Sequence, residues 1–306
     1  MTMTYYEPLQ YTITEAEDGW YLRTVLRSRM NLSRKLVSRL KFTEEGITVN
    51  GKRAFTSMIV HQGDLVEVRM EQESSDDILP QPIPIDIIFE DEHLLIVNKP
   101  AGLIVHPTLG HYQNTLANGV VHYWQSKGVK FRFRPIHRLD QETSGVMCIA
   151  KNPFVQQRIF EQKDRVLKEY QAIVIGHPDP SEGVIDAPID RDPENPHYRM
   201  VIKEGYPART HYQVLETYQE ASKVRLRLET GRTHQIRVHM TFKGHPLIGD
   251  SRYGDEAVNA RYPIGRQALH AAKLGFAHPV TGEEMVFEAP FPEDMLILEQ
   301  ELRRTI

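Results

Sequence analysis

The sequence predicts an α+β protein of two domains, a small one at about residues 15–75 and a larger one at about 80–306. Three observations carry that expectation. Residues 71–84, EQESSDDILPQPIP, are acidic, contain serines and end in three prolines, which continue neither a helix nor a central strand, so they read as an interdomain linker. The segment before them opens with apolar residues at helical spacing and then changes to strand-like alternation. The segment after them holds several apolar strand-like runs, without the regular strand–helix alternation or the glycine fingerprint of a doubly wound nucleotide-binding fold.

Taken in order, Leu22, Val25, Leu26 and Met30 recur at helical spacing, and Leu36, Val37 and Leu40 repeat the pattern behind Ser33, a suitable N-cap. Two short helices are predicted. Gly46 to Gly51 alternates apolar residues and ends in Asn-Gly, a strong hairpin signal, and Gly63 to Val68 supplies a further strand. Beyond the linker, Ile85–Phe89 and Leu94–Val97 flank Glu90 to His93 as a hairpin. Val146–Ala150 is a continuous apolar run of the kind found in central strands. Pro153 to Lys163 reads as a helix, and Gln171–Ile175 and Val224–Leu228 read as strands, the last alternating with Arg225 and Arg227.

The composition, 40% hydrophobic and 25% charged, is that of an ordinary globular protein. No stretch approaches the roughly 20 apolar residues of a membrane span, and the N-terminal MTMTYYEPLQ lacks the basic-then-apolar build of a signal peptide, so a cytoplasmic protein is expected. The one cysteine, Cys148, excludes an internal disulfide framework and a cysteine-rich zinc site. It sits in the apolar run at 146–150, as a buried structural thiol would. Fourteen histidines raise a metal reading, yet no H-E-x-x-H or comparable spacing occurs, and no metal is expected.

Charge is distributed unevenly. Between Trp20 and Met70 ten Lys/Arg face four acids, which makes this segment +6 and leaves −10 for the remainder of a chain whose net charge is −4. Such local asymmetry suits a polyanion-binding unit. On the second predicted helix Arg34, Ser38 and Lys41 share one stripe and Lys35 and Arg39 an adjacent one, opposite the apolar residues. By itself this is also the pattern of a solvated helix face. The stretch SRKLVSRLKFTEEGITVNGKRAFTSMIVHQGDLVEV resembles the S4 RNA-binding domain, in which a basic helix precedes a G-x-V-x-V-N-G turn and a G-D-x-V-x-V strand. The resemblance covers about residues 20–70 and implies that Arg34, Lys35, Arg39 and Lys41 contact RNA. It departs at Trp20 to Thr24, where the family commonly carries Arg-Leu-Asp.

The chemistry concentrates at residues 134–145, RPIHRLDQETSG, a polar loop feeding the buried strand. Composition alone leaves Asp140 open as a turn or cap residue. The run His137-Arg138-Leu139-Asp140, two residues, then Thr143-Ser144-Gly145 resembles the motif of the RluA-type pseudouridine synthases, with Asp140 at the catalytic aspartate. Three further stretches resemble that family in the same order: Asn98 to Gly102, Lys168-Glu169-Tyr170, and Gly231 to His239. The similarity runs from about residue 85 to 290.

That family isomerises uridine in RNA without cofactor or metal. The N1–C1′ bond breaks, the uracil turns over, and C5 bonds to C1′. The resemblance implies a mixed, largely antiparallel sheet in the catalytic domain and a monomer acting on RNA, of the large ribosomal subunit or tRNA. It implies that Asp140 acts as nucleophile or base, that Arg237 is its cationic partner, and that Tyr170 stacks on the uracil and assists proton transfer at C5. Arg138 then enters the RNA in place of the flipped nucleotide or contacts phosphate, and Arg232 binds RNA. Read without the family, Tyr170 is a core aromatic and Arg237 a surface cation, in a segment that fits a helix from a Thr233 cap to Lys243 and also alternates like a strand. Two rivals remain at this level. One is a non-catalytic RNA-binding or ribosome-assembly protein, and the other a hydrolase pairing Asp140 with Glu142.

Overall fold

In a computed structural model, which describes residues 5–304, the chain builds two main sheets and one two-stranded ribbon. The first sheet, ordered β1-β4-β2-β3, comprises β1 (Leu9–Thr12), β2 (Ile47–Val49), β3 (Lys52–Arg53) and β4 (Leu65–Val68). Helices α1 (Leu22–Ser28) and α2 (Arg34–Leu40) lie between β1 and β2 along the chain. Ser33 caps α2, its Oγ accepting the Leu36 N–H at 3.1 Å. The cap and the apolar triplet Leu36, Val37 and Leu40, all buried, set the face of α2, so Arg34, Lys35, Ser38, Arg39 and Lys41 are exposed. Asn50 and Gly51, at φ 51° and 73°, make the left-handed pair that a tight hairpin turn requires. β1 is not foreshadowed by the sequence pattern; four residues pairing with β4 carry too little periodicity to stand out.

The second sheet begins with the expected hairpin, β5 (Asp86–Glu90) and β6 (Leu94–Lys99). Then come α3 (Leu116–Ser126), β7 (Arg134–Pro135), β8 (Ser144–Ala150), α4 (Pro153–Glu161), β9 (Leu167–Ile175) and β10 (Glu182–Asp186). The ribbon of β11 (Ile189–Arg191) and β12 (Arg199–Val201) precedes β13 (Arg209–Thr217) and β14 (Ala221–Leu228). The chain closes with α5 (Gln235–Phe242), α6 (Glu256–Asn259), β15 (Leu269–Ala277), β16 (Glu284–Glu288) and α7 (Glu293–Arg304). The strands run β10-β13-β14-β9-β15-β8-β6-β5, with β16 beside β15 and β7 beside β8. One pair is parallel, β8 with β15, where Ser144 meets His270 and Gly145 meets Ala271. The sheet is therefore mixed and largely antiparallel.

From Val146 to Ala150 β8 is apolar throughout because both its faces are covered. Met147 and Ile149 pack with Leu95, Val97 and the α3 residues Val120 and Trp124, while Val146, Cys148 and Ala150 pack with Leu94, Ile96 and the α4 residues Phe154 and Val155. At the parallel junction the backbones come so close that a Cβ on Gly145, whose φ is +120°, would lie 2.2 Å from the Ala271 carbonyl oxygen. The tight approach fixes where β8 starts, and hence where the loop before it ends.

Residues 71–84 contain no helix or strand, as their prolines dictate, yet they are fastened along their length. Glu73 pairs with Arg39 of α2 at 2.8 Å and with Arg132 and Arg134 across from it. Ser75 Oγ accepts the Phe133 N–H at 2.7 Å, Ile78 is buried, and Asn118 of α3 donates to the Leu79 carbonyl at 2.7 Å. Gln157 of α4 completes the junction, accepting the Ser33 N–H at 3.2 Å and donating to the Asn31 carbonyl at 3.3 Å.

His270, buried at the parallel junction, receives the Ser144 hydroxyl at Nδ1 (2.9 Å) and donates from Nε2 to the Ala289 carbonyl (3.3 Å). Burial holds its pKa down at about 4, so the folded ring is neutral where the unfolded ring, near 6.5, takes a proton. Protons then bind preferentially to the unfolded chain between those values, and stability falls as pH drops from about 6.5 to 4. His270→Gln, which keeps both hydrogen bonds, is expected to retain on the order of 2 kcal/mol more of its neutral-pH stability at pH 4.5 than the parent does. Urea unfolding at pH 7.5 and 4.5 measures this, and equal losses in the two proteins would contradict it.

Candidate active site

The loop at 136–143 is held from below by two buried cations. Lys99 Nζ donates to the carbonyls of Pro100 and Leu103 at 2.8 Å each and of Gln141 at 2.9 Å. Burial pulls its pKa down to about 7. Arg266 grips Asp294 of α7 by two bonds of 2.6 and 2.8 Å and donates from Nη1 to the Glu142 carbonyl at 3.1 Å. With the Thr143 N–H bonded to the Asp140 carbonyl (3.0 Å), the turn is closed by backbone. The Asp140 side chain is therefore free of the turn or cap role that composition left open.

Instead it meets Arg237, whose Nη1 lies 3.2 Å from Asp140 Oδ2. The guanidinium directs its two-bond fork at a different carboxylate. Arg237 Nε and Nη2 reach Asp250 Oδ2 and Oδ1 at 2.7 and 2.8 Å, and Asp250, fully buried, also accepts the N–H groups of Arg252 (2.9 Å) and Tyr253 (3.1 Å). Burial alone would raise the Asp250 pKa, but the Arg237 fork and charge outweigh it and hold the carboxyl below its ordinary value. Burial likewise opposes the charge on Arg237, and the bonds to Asp250 override it and raise its pKa. Asp140 Oδ1 is left without a hydrogen bond from the described residues.

The segment carrying Arg237 is a helix, which removes the strand alternative. It does not start on a Thr233 cap, however. His234 is the N-cap, in the left-handed conformation at φ 57° and without a capping side-chain bond. The Gln235 amide secures the turn by bonds to Thr230 Oγ1 (2.8 Å), the Arg232 N–H (2.9 Å) and the Arg209 carbonyl (3.0 Å). The helix ends at Phe242, with Lys243, the expected end, as its C-cap and Gly244 at φ 87° just beyond. His234 Nε2 stands 3.9 Å from Asp140 Oδ2, and its Nδ1 is 2.8 Å from the Tyr253 hydroxyl. Burial pushes the imidazole pKa down.

Tyr170 sits at mid-sheet in β9, between Ala271 of β15 and Leu226 of β14. It is both a core aromatic and a wall of the cavity above Asp140. Burial first and the Asp140 charge second push its phenol pKa up, so it stays protonated. The cavity, about 660 Å³, is walled by Ile136, Leu139, Tyr170 and Leu228 and rimmed by the cations Arg138, Lys163, Lys168 and Arg232. Its volume suits a small ligand with most of its surface enclosed. Asp140 is the one carboxylate among the lining residues; Glu142 is not among them, so the carboxylate pair of the hydrolase reading does not assemble.

The structure does not bring Arg34, Lys35, Arg39 and Lys41 into this cavity. Lys35 and Arg39 line a separate cleft of about 750 Å³ between α2 and α4, which shares Pro135 and Phe160 with the first. Arg138 is exposed at the rim and makes no ion pair among the described residues, while Arg232 donates to the Pro207 carbonyl at 3.0 Å. No group of three or more His, Cys, Asp or Glu among the described residues could hold a metal ion. Asp250 and Arg266 carry no signal that singles them out in the sequence, and His234, although it lies within the family-like stretch Gly231 to His239, is given no role by it. Asp250 follows Gly249 in a turn without periodic pattern, and only its position in space reveals its partner.

Comparison with known proteins agrees with this geometry. The family model for RNA pseudouridylate synthases matches residues 93–242, a span that contains Asp140, Tyr170 and Arg237. An uncharacterized RNA pseudouridine synthase of Bacillus subtilis is 40% identical over 87% of this chain and 94% of its own length. The ribosomal large subunit pseudouridine synthase D of Escherichia coli K12 is 39% identical over 87% of this chain and 86% of its own. Among solved structures, human RNA pseudouridylate synthase domain containing 4 superimposes with a TM-score of 0.59 at 28% identity, covering 71% of this chain and 93% of that one. The chain belongs to the RNA pseudouridine synthases of the RluA type, and is an isomerase acting on uridine in RNA.

Proposed function

We propose that this enzyme modifies uridines of large-subunit ribosomal RNA, with Asp140 as its catalytic group, Arg237 as the cation that holds the Asp140 carboxylate in place, and Tyr170 as the platform for the uracil. One observation carries the assignment: among the described residues lining the cavity, the one carboxylate has one oxygen bound by a buried arginine and the other without a hydrogen bond, and Tyr170 lines the same cavity. A carboxylate so placed can attack C1′ or remove the C2′ proton as the N1–C1′ bond breaks. The apolar walls hold the detached uracil beside the ribose until C5 bonds to C1′. The proton displaced from C5 is balanced by one gained at N1, so no co-reactant is needed. A protonated Tyr170 can stack on the base without competing with Asp140 for charge.

Ribosomal RNA is favoured as the target because relatives that match over most of both lengths carry the name ribosomal large subunit pseudouridine synthase D. Modification of tRNA is the alternative outcome. Mapping pseudouridine in ribosomal RNA and tRNA from cells with and without the gene decides between them. Residues about 15–75 serve in this reading as an S4-like RNA-binding domain joined to a catalytic domain at about 80–306, and the enzyme works as a cytoplasmic monomer. The exposed cations of α2 support the first point, and a site that needs no second chain supports the last. Arg138, exposed at the rim, is suited to fill the place of a flipped nucleotide or to meet a phosphate.

Asp140→Asn is nearly isosteric and is expected to lower turnover by at least about a thousand-fold, ~4 kcal/mol in barrier, while RNA affinity changes only a few-fold. Tritium release from labelled RNA measures it; substantial turnover by the variant would remove Asp140 from the reaction.

Asp250→Asn breaks the fork that positions Arg237. Leaving a buried guanidinium short of its partner should cost about 3 kcal/mol or more of stability, and turnover of bound RNA should fall with it. Arg237→Met should lose turnover with little loss of RNA affinity. Single-turnover rates alongside binding curves separate the two effects, and a strong loss of binding with intact turnover would contradict the pairing.

Changing Arg34, Lys35 and Lys41 together to Ala should flatten the dependence of log affinity on log salt, by about 0.7 for each phosphate released on single strands or about 0.9 on duplex. These three are chosen because Arg39 is already engaged with Glu73. An unchanged slope would make α2 a solvated face.

A further inference from the structure

The ribbon of β11 and β12 carries a feature that folding alone does not explain. Arg191 and Arg199 stand directly opposite each other across its two strands. Like charges in that position repel, and a two-stranded ribbon has little stability to spare. Neither arginine has a carboxylate partner among the described residues, nor does Arg232, which faces them. One residue pair further in, on the same face, Ile189 and Val201 pack toward Val238 of α5. The inner face of the ribbon thus turns from apolar at its base to doubly basic at its tip. Acids are close as well: Asp190 lines the hollow beside the arginines, its Oδ1 accepting the Arg191 backbone N–H at 2.7 Å, and Asp192 and Glu194 follow in the turn of the ribbon, yet none of the three forms an ion pair with either arginine among the described residues.

Between the arginines lies a hollow of about 370 Å³, whose further walls are Tyr206 and Thr233. Tyr206 is fixed to the ribbon by two backbone hydrogen bonds of 3.0 Å with Ile189, and its exposed ring lies 5.5 Å from the Arg232 guanidinium. Arg232 and Thr233 also line the Asp140 cavity, so an occupant of the hollow would touch whatever fills that cavity.

We propose that Arg191, Arg199 and Arg232 bind a backbone phosphate of the RNA strand immediately beside the nucleotide held over Asp140. This rests on the reading that the target uridine occupies the Asp140 cavity. Guanidinium forks match phosphate oxygens bidentately, and a phosphate placed between Arg191 and Arg199 turns their repulsion into shared attraction. Binding of this kind sets the position of the strand without reading its sequence.

The test compares the full-length enzyme with Arg191→Gln/Arg199→Gln, with Arg191→Lys/Arg199→Lys, and with Arg261→Gln, which removes an exposed cation paired with Glu220. The probe is large-subunit ribosomal RNA from cells lacking the gene. Affinity is measured at several salt concentrations, together with KM, kcat and Tm. The Gln pair should bind about tenfold more weakly near 0.1 M salt, with a log–log salt slope reduced by about 0.7 or more, and the loss should appear in KM. Its Tm should be unchanged or higher, because the cross-strand repulsion is gone. The Lys pair should keep most of the slope, and Arg261→Gln all of it. Slopes and affinities for the Gln pair equal to those of Arg261→Gln would overturn the proposal. So would a fall in Tm with unchanged affinity, which would make the arginines structural. Should the Gln pair fail to fold, the single variant at exposed Arg191 carries the same comparison. If the parent enzyme converts no uridine in this RNA, the ribosomal target fails, while the salt slopes still decide the phosphate site.

Discussion

The site depends on a buried arginine shared between two carboxylates of unequal standing. Arg237 is nearly inaccessible, and a guanidinium in that position is tolerable only when its donors are taken. Asp250 satisfies it with two short bonds from a fully buried position, so the charge is neutralised before Asp140 is considered. The single bond to Asp140 is then additional to a charge already neutralised, and it engages Oδ2 alone. Three separate pieces of chain must agree for this to occur: the loop before β8, the first turns of α5 and the turn at 249–253.

Those pieces differ in how far the amino-acid order discloses them. Local chemistry is legible where it is self-contained. Ser33 capping α2, Asn50-Gly51 turning the hairpin and the unbroken apolar run of β8 each follow from a few adjacent residues, and each stands where the order implies. Asp140, Tyr170 and Arg237 are marked by their motifs, and the structure brings them together, Asp140 and Tyr170 lining the cavity and Arg237 bonded to Asp140. What stays hidden is relational. Asp250 has no periodic or motif signal because its role is defined by a partner 13 residues away across a turn. The cap expected at Thr233 fails because the chain enters α5 through a left-handed His234, a conformation that a non-glycine residue adopts only when its surroundings impose it. The stretch at 71–84 reads as a tether from its prolines, yet its acids and its one buried isoleucine find partners that lie far along the chain.

Electrostatically the site has a graded construction. At the bottom, Lys99 and Arg266 neutralise backbone carbonyls and make the loop rigid. In the middle, Arg237 neutralises carboxylates. At the rim, Arg138, Lys163 and Lys168 have no acidic partner in the cavity. Cations therefore pass from engaged to unengaged from the bottom of the site to its rim, an arrangement whose field attracts a polyanion toward the cavity that holds Asp140.

The fastening of α2 has a geometric consequence. Glu73 and Gln157 tie that helix to the body from two sides, so its distance from Asp140 is a property of the protein. An RNA that engaged both α2 and the catalytic cavity would have to present its uridine at a matching span from the feature α2 grips. For such an RNA, target choice would become a measurement of length between two points on its fold, and neighbouring uridines of identical chemistry would be passed over for falling short of the mark or beyond it.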